Sequence, residues 1–188
     1  LRFEFGKIDG IGNIGFHRQS SCTQRTFMTS AFEHDTSTLS HNPEFHRLLT
    51  GSYERIVGRS LATQGHEASW LYNDAPFVVL AHNTQPDPVF IYANKAAQKC
   101  FEYSWDEFVA LPSRLSAQTP DRQERQRLLD AVAARGFTDD YRGLRIAKSG
   151  RQFWIEGATV WQLIDEDGRN HGQAATFSSW QQMPPVNS

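Results

Sequence analysis

From Asn42 onward the apolar positions fall into short periodic runs. Phe45, Leu48, Leu49, Tyr53, Ile56 and Val57 recur at steps of three and four, which predicts an amphipathic helix from Pro43 to about Leu61. Asn42 suits its N-cap and Pro43 its first position, while Gly51 inside it costs about 1 kcal/mol relative to Ala. A second short helix is expected over 67–72. The pattern then turns to strands. Phe77-Val-Val-Leu-Ala81 and Val89-Phe-Ile-Tyr92 flank the turn set Asn83–Pro88 and read as a hairpin. Helical texture returns over 93–103. Ser104 with Glu107 forms a capping-box pattern for a short helix that Pro112 ends. Another helix is expected from Thr119-Pro120, carried by Leu128, Leu129 and Val132 and closed by Gly136. Three strands follow over 137–147, 151–164 and 171–180, joined by turns bearing Gly150 and Gly168, as a meander. Pro184-Pro185 marks the end of the domain.

Residues 1–41 lack this patterning and read as a tail, with a domain over 42–181 and a short tail over 182–188. Met28 suits a natural start preceded by a translated leader over 1–27; a native tail of the same composition fits equally well. No internal repeat or low-complexity block interrupts the rest.

Composition narrows the class. The chain has 188 residues, enough for one domain with tails. Nineteen Lys and Arg against 21 Asp and Glu give a net charge of −2, no electrostatic footprint for nucleic acid or an anionic membrane. Two cysteines, Cys22 and Cys100, cannot build a disulfide scaffold and form no CxxC pair. No apolar run approaches the ~18 residues of a spanning helix. The expectation is a soluble cytoplasmic protein with no nucleic-acid or membrane partner. Its aromatic share of 12% is its most distinctive compositional feature.

The element order of helix, two strands, helical crossing and three-stranded meander resembles the PAS fold. Tyr92-Ala-Asn94-Lys-Ala-Ala97, Ser104-Trp-Asp-Glu-Phe108 and Lys148-Ser-Gly150-Arg-Gln-Phe-Trp154 agree locally. A more specific likeness runs from about Phe45 to Trp180. It is carried by Ser52-Tyr-Glu-Arg-Ile-Val-Gly-Arg59, His82-Asn-Thr-Gln-Pro-Asp-Pro88, Leu111-Pro-Ser-Arg-Leu-Ser116, Tyr141-Arg-Gly-Leu-Arg-Ile146, Val160-Trp161 and Gly172-Gln-Ala-Ala-Thr-Phe177. These segments resemble the MEKHLA domain, a PAS-related family found as stand-alone bacterial and algal proteins and at the C-terminus of plant homeodomain–leucine-zipper proteins. The hexapeptide that names the family is absent as written, and so are a homeodomain and zipper. The resemblance implies an α+β fold, a PAS-like five-stranded antiparallel sheet with crossing helices and an N-terminal helical extension. It implies the stand-alone type rather than a transcription factor.

Candidate chemistry follows from aromatic and polar positions in that frame. In the strand 151–164, odd positions hold Phe153, Ile155, Gly157, Thr159, Trp161 and Leu163, the better inner face by the period-two rule, unless a bulge at Gly157 switches register midway. Phe101, Trp105, Trp161 and Phe177 are candidates to wall a small planar ligand, or else to fill an aromatic core. Arg114 and Arg145 could grip a carboxylate or phosphate bidentately. Alternatively they fix a loop by ion pairs, for example with Asp106 or Glu107. Asn94 suits a backbone hydrogen-bonding role at a strand–helix junction, and Gln173 fits either a strand face or a ligand contact.

None of the seven histidines has helical metal-site spacing, and no Cys/His quartet exists. His82 with Asp87 is the one near pair of catalytic type, set in a proline-rich turn. Cys100 lacks the Asn-Cys-Arg-Phe context of light-sensing flavin domains, and no histidine falls between 93 and 136 to ligate a haem. The sequence therefore supports no flavin–cysteine photochemistry, haem or metal, and the cofactor is unknown. The expectation is a non-catalytic sensory or interaction module binding an unknown small molecule or protein. A homodimer through the Pro43–Leu61 helix or the sheet face is one arrangement. A small enzyme or an oligomeric scaffold on the same fold is the alternative.

Overall fold

Helix α1 (Pro43–Val57) starts where its capping residue dictates. The Asn42 side chain accepts hydrogen bonds from the N–H groups of Glu44 and Phe45, at 2.8 and 3.0 Å. The helix ends at Gly58 in the left-handed conformation, short of the expected Leu61. Leu61 continues the apolar pattern and is buried, but it sits beyond the cap. The computed structural model describes residues 36–62, 67–117, 128, 130–132 and 134–183. Ordered structure reaches back at least to a 3-10 turn, Thr36–His41, whose Leu39 is buried. Residues 36–41, expected as part of the tail, therefore carry structure. The leader question over 1–27, the helix start at 119–120 and the double proline at 184–185 lie outside the described residues.

After α2 (Ala68–Asn73) come the hairpin strands β1 (Val78–His82) and β2 (Phe90–Ala93), then α3 (Lys95–Phe101) and α4 (Trp105–Phe108). The last third holds β3 (Phe137–Ile146), β4 (Gln152–Ile164), β5 (Asn170–Phe177) and β6 (Ser179–Gln182). All pairings are antiparallel, in the order β2-β1-β5-β4-β3, with β6 beside β4. The sheet thus has six strands where five were expected. The registers Thr159↔Thr176 and Glu156↔Ser179 put β6 on the line of β5, so the expected run 171–180 is present but divided at Ser178.

The division has a cause on the neighbouring strand. Gly157 lies opposite Ser178 and takes φ +60, a conformation that swaps the two faces of β4. Before it, Phe153 and Ile155 point to the face covered by α3 and α4; after it, Ala158 joins them. Trp161 and Leu163 point to the opposite face, beneath α1. The odd-numbered inner face holds only as far as Ile155. Trp161 is therefore not on the face that α3 covers.

Each face of the sheet has its own core. Under α1, Phe45, Leu49 and Tyr53 pack with Val79, Tyr92, Trp161 and Leu163. Under α3 and α4, Phe101 and Phe108 pack with Leu80, Phe153 and Phe177. The apolar stripe of α1 is thus used on the chain's own sheet. Among the described residues no helix is long and apolar enough to cross a membrane.

Candidate functional site

The strand-to-helix junction at Asn94 fixes one wall of the site. Asn94 is fully buried, and its side-chain oxygen accepts from Val79 N–H and Ala97 N–H, both at 3.0 Å. Its amide nitrogen donates to the carbonyls of Phe77, at 2.8 Å, and Leu71, at 3.2 Å. One side chain thereby caps α3, closes β1 and anchors the segment after α2. Gln98, one turn on, donates to Ala93 O and Tyr72 Oη. These bonds hold α3 at a fixed distance above the sheet.

The other wall is a strap. Residues 112–117, including the 3-10 turn Ser113–Ser116, form backbone bridges at both ends, Pro112 to Val89 and Ala117 to Arg145. Val89 precedes edge strand β2 and Arg145 lies on edge strand β3. The strap therefore crosses the α3 side of the sheet from edge to edge. Arg114 secures it from outside through an ion pair with Asp87, its Nε–H shared between the two carboxylate oxygens at 3.0 and 3.2 Å. Asp87 rather than Asp106 or Glu107 is its partner, and Glu107 pairs with Lys148.

Between α3, strap and sheet lies a cavity of about 160 Å³. Its apolar lining comes from Leu80, Phe90, Phe101, Leu128, Ile155, Val160, Ala174, Ala175 and Phe177, with Ala117 of the strap. His82, Ser113, Ser116, Arg145 and Gln173 supply the polar groups. Four of the residues singled out from the sequence meet here: Phe101, Arg145, Gln173 and Phe177. Four do not. Asn94 is the structural junction just described, and Arg114 faces solvent. Trp105 packs edge-on against Tyr72 and Tyr92, with ring centroids 5.4 and 6.0 Å apart. Trp161 lies on the opposite face, its indole N–H donating to Ser52.

Ser113 and Ser116 are lining residues that the sequence did not single out, and His82, weighed there only as a catalytic pair with Asp87, lines the cavity as well. Leu80 and His82 share a face by strand alternation, which was the available signal for His82. The serines carried none, because their place depends on where the strap crosses. His82 Nδ1 lies 2.8 Å from the carbonyl oxygen of Asn83, which can only accept, so this nitrogen carries the proton. Burial holds the ring's pKa below its ordinary value, partly offset by that hydrogen bond. The neutral ring then keeps Nε2 as an acceptor. His82 makes no pair with Asp87, which Arg114 occupies.

Arg145 is half-buried. Its guanidinium donates to its neighbour's carbonyl, Leu144 O, at 3.0 Å, and to Tyr141 Oη at 3.4 Å. Cys100, beside Phe101, is buried and outside the lining; burial pushes its thiol up to about 12, against the opposing pull of Arg151. No group of three His, Cys, Asp or Glu side chains among the described residues could hold a metal ion.

The topology has a counterpart among solved structures. An RNA-binding light-oxygen-voltage receptor superposes with a TM-score of 0.50 at 19% identity, over 66% of this chain and 36% of that one, a likeness of fold alone. A PAS domain from Colwellia psychrerythraea gives 0.49 at 15% identity, over 60% of this chain and 90% of that one. Among curated proteins, the homeobox-leucine zipper protein ATHB-9 of Arabidopsis thaliana is 31% identical over 114 residues, 59% of this chain and 13% of that protein. ATHB-14, also from Arabidopsis thaliana, is 28% identical over 135 residues, 70% of this chain and 15% of its own length. This chain thus spans less than a sixth of the length of either plant relative. The model of the MEKHLA domain matches residues 43–182, from the first residue of α1 to the last of β6. With α1 and the six-stranded sheet falling inside that match, the chain belongs to the MEKHLA domain family.

Proposed function

We propose that this chain is a sensory or interaction module that binds a small ligand in the cavity under α3 and carries out no catalysis of its own. The observation that carries the reading is the cavity itself. A mostly apolar space with a few converging polar groups is the usual form of a small-molecule site. A pure scaffold calls for a filled interior instead. An enzyme built from Arg114, His82 or Arg145 would need them to act together, but Arg114 is engaged outside and, among the described residues, His82 has no acidic partner. Flavin–thiol photochemistry is not part of the proposal, since Cys100 does not line the cavity. The MEKHLA fold provides the scaffold, and fold alone does not set function.

Native mass spectrometry of the full chain, followed by solvent extraction, tests this reading. A bound species released on denaturation is expected, and Ala175→Phe, which fills the cavity, should abolish it. A wild-type chain that carries nothing and shows no thermal shift with small aromatic or aliphatic compounds would overturn the reading.

A further inference from the structure

Resting on the cavity reading above, we propose that the site is selective for a small monocarboxylate whose carboxyl group pairs with Arg145 and whose apolar body lies against Phe101 and Phe177. Arg47, Arg114, Arg142, Arg151 and Arg169 each have a carboxylate within ion-pair distance. Arg145 lines the cavity, and no carboxylate among the described residues lies within that distance of it. Two of its nitrogens donate to neutral oxygens, one of them at the long distance of 3.4 Å. A guanidinium has five N–H donors in a fixed fork, so donors remain for a planar, bidentate anion. A half-buried cation beside apolar walls is costly until an anion joins it.

The remaining lining sets the rest of the class. The other titratable lining residue, His82, is a neutral acceptor, and Gln173 is uncharged, so the lining offers one positive charge and suits a single carboxylate better than a dianion. Phe101, Phe177 and Leu80 offer aromatic and aliphatic surface without further donors. A volume of about 160 Å³ holds roughly one six-membered ring or a short branched chain.

Isothermal titration calorimetry on the full chain, with matched acid and amide probes, tests the assignment: benzoate against benzamide, and 3-methylbutanoate against 3-methylbutanamide. At least one acid should bind about tenfold or more tightly than its amide, as expected for a charge-assisted pair in a sheltered site. Arg145→Gln should erase the preference. Arg145→Lys, which keeps the charge but loses the fork, should retain part of it. Should Arg145→Gln fail to fold, the wild-type ratio and its loss as pH falls through ionisation of the acid remain decisive. Amides or benzyl alcohol binding as well as the acids would overturn the carboxylate assignment and leave the cavity reading standing. Binding by none of the probes would count against both.

Discussion

The indole N–H of Trp161 donates to the hydroxyl of Ser52 at 3.0 Å, joining β4 to the middle of α1 across 109 residues of chain. The same hydroxyl donates to Leu49 O at 3.2 Å, so it is satisfied in both directions. Tyr53 meets the indole edge-on, with centroids 4.9 Å apart. The fully buried Trp161 thus fixes both the position and the rotation of the N-terminal helix on the sheet. This contact sits on the face away from the cavity. Stability and ligand binding should therefore respond to different residues.

Replacing Trp161 tests that separation. Trp161→Ala should cost about 3–5 kcal/mol through lost burial and a residual cavity. Ser52→Ala, which leaves the indole N–H buried and unpaired, should cost about 1–3 kcal/mol. Trp161→Phe should leave affinity for a cavity ligand unchanged. Urea unfolding with titration of the same variants gives both readouts. A folded Trp161→Phe protein that no longer binds would bring Trp161 back to the cavity wall.

Asn94 should be less replaceable than its size suggests. Asn94→Ala removes partners from two buried N–H groups and two carbonyls at once. A loss on the order of 3 kcal/mol or more is expected. Asn94→Asp should also be severe, because a carboxylate would face the carbonyls of Leu71 and Phe77. An Asn94→Ala loss below about 1 kcal/mol in urea unfolding would mean that water replaces the side chain.

What the sequence could and could not reveal follows from the range of each interaction. The Asn42 cap, the Ser104–Glu107 box and the meander turns depend on residues a few positions apart, and all were legible. Gly58 stops α1 early, yet Leu61 prolonged the apolar pattern past it. The face of Trp161 was misread because one positive φ at Gly157 reverses strand alternation. Phe101, Arg145, Gln173 and Phe177 were identifiable as an aromatic and polar set in strand or helix context. The Arg114–Asp87 pair, 27 residues apart, and the strap that brings Ser113 and Ser116 to the cavity depend on tertiary geometry. Local pattern carries no record of such contacts.

Two glycines should behave differently when given a side chain. At Gly172, on β5 beside β1, a Cβ would fall 1.8 Å from the carbonyl oxygen of His82. Gly172→Ala should therefore force the strands apart and disturb His82 in the cavity lining. At Gly157 nothing lies within 4 Å, so Gly157→Ala meets only the conformational cost of about 1–2 kcal/mol. Thermal melts should rank Gly172→Ala well below Gly157→Ala. The reverse order would show that the face switch in β4, rather than the β1–β5 approach, limits stability.

Acidification should weaken the fold in two separate windows. Burial lowers the pKa of His82 and His46 below the ordinary imidazole value of 6.5. The unfolded chain then binds more protons than the folded one as pH drops below that value, so stability falls with pH there. Their contribution is fully present above 6.5 and is lost as pH descends through the depressed folded values. The second window lies lower. Glu107 is held down to about 2, chiefly by Lys148, and Glu102 is lowered by Ser149 and Arg151. Asp165 is lowered by His171. These carboxylates keep their contribution above the ordinary carboxylate range and lose it as pH falls through their depressed values. Melting temperature followed from neutral to acidic pH should show both declines. His82→Gln keeps an amide donor for Asn83 O but cannot titrate, so it should flatten the upper decline and leave the lower one intact. An upper decline unchanged in both His82→Gln and His46→Gln would mean that neither buried ring couples protonation to folding.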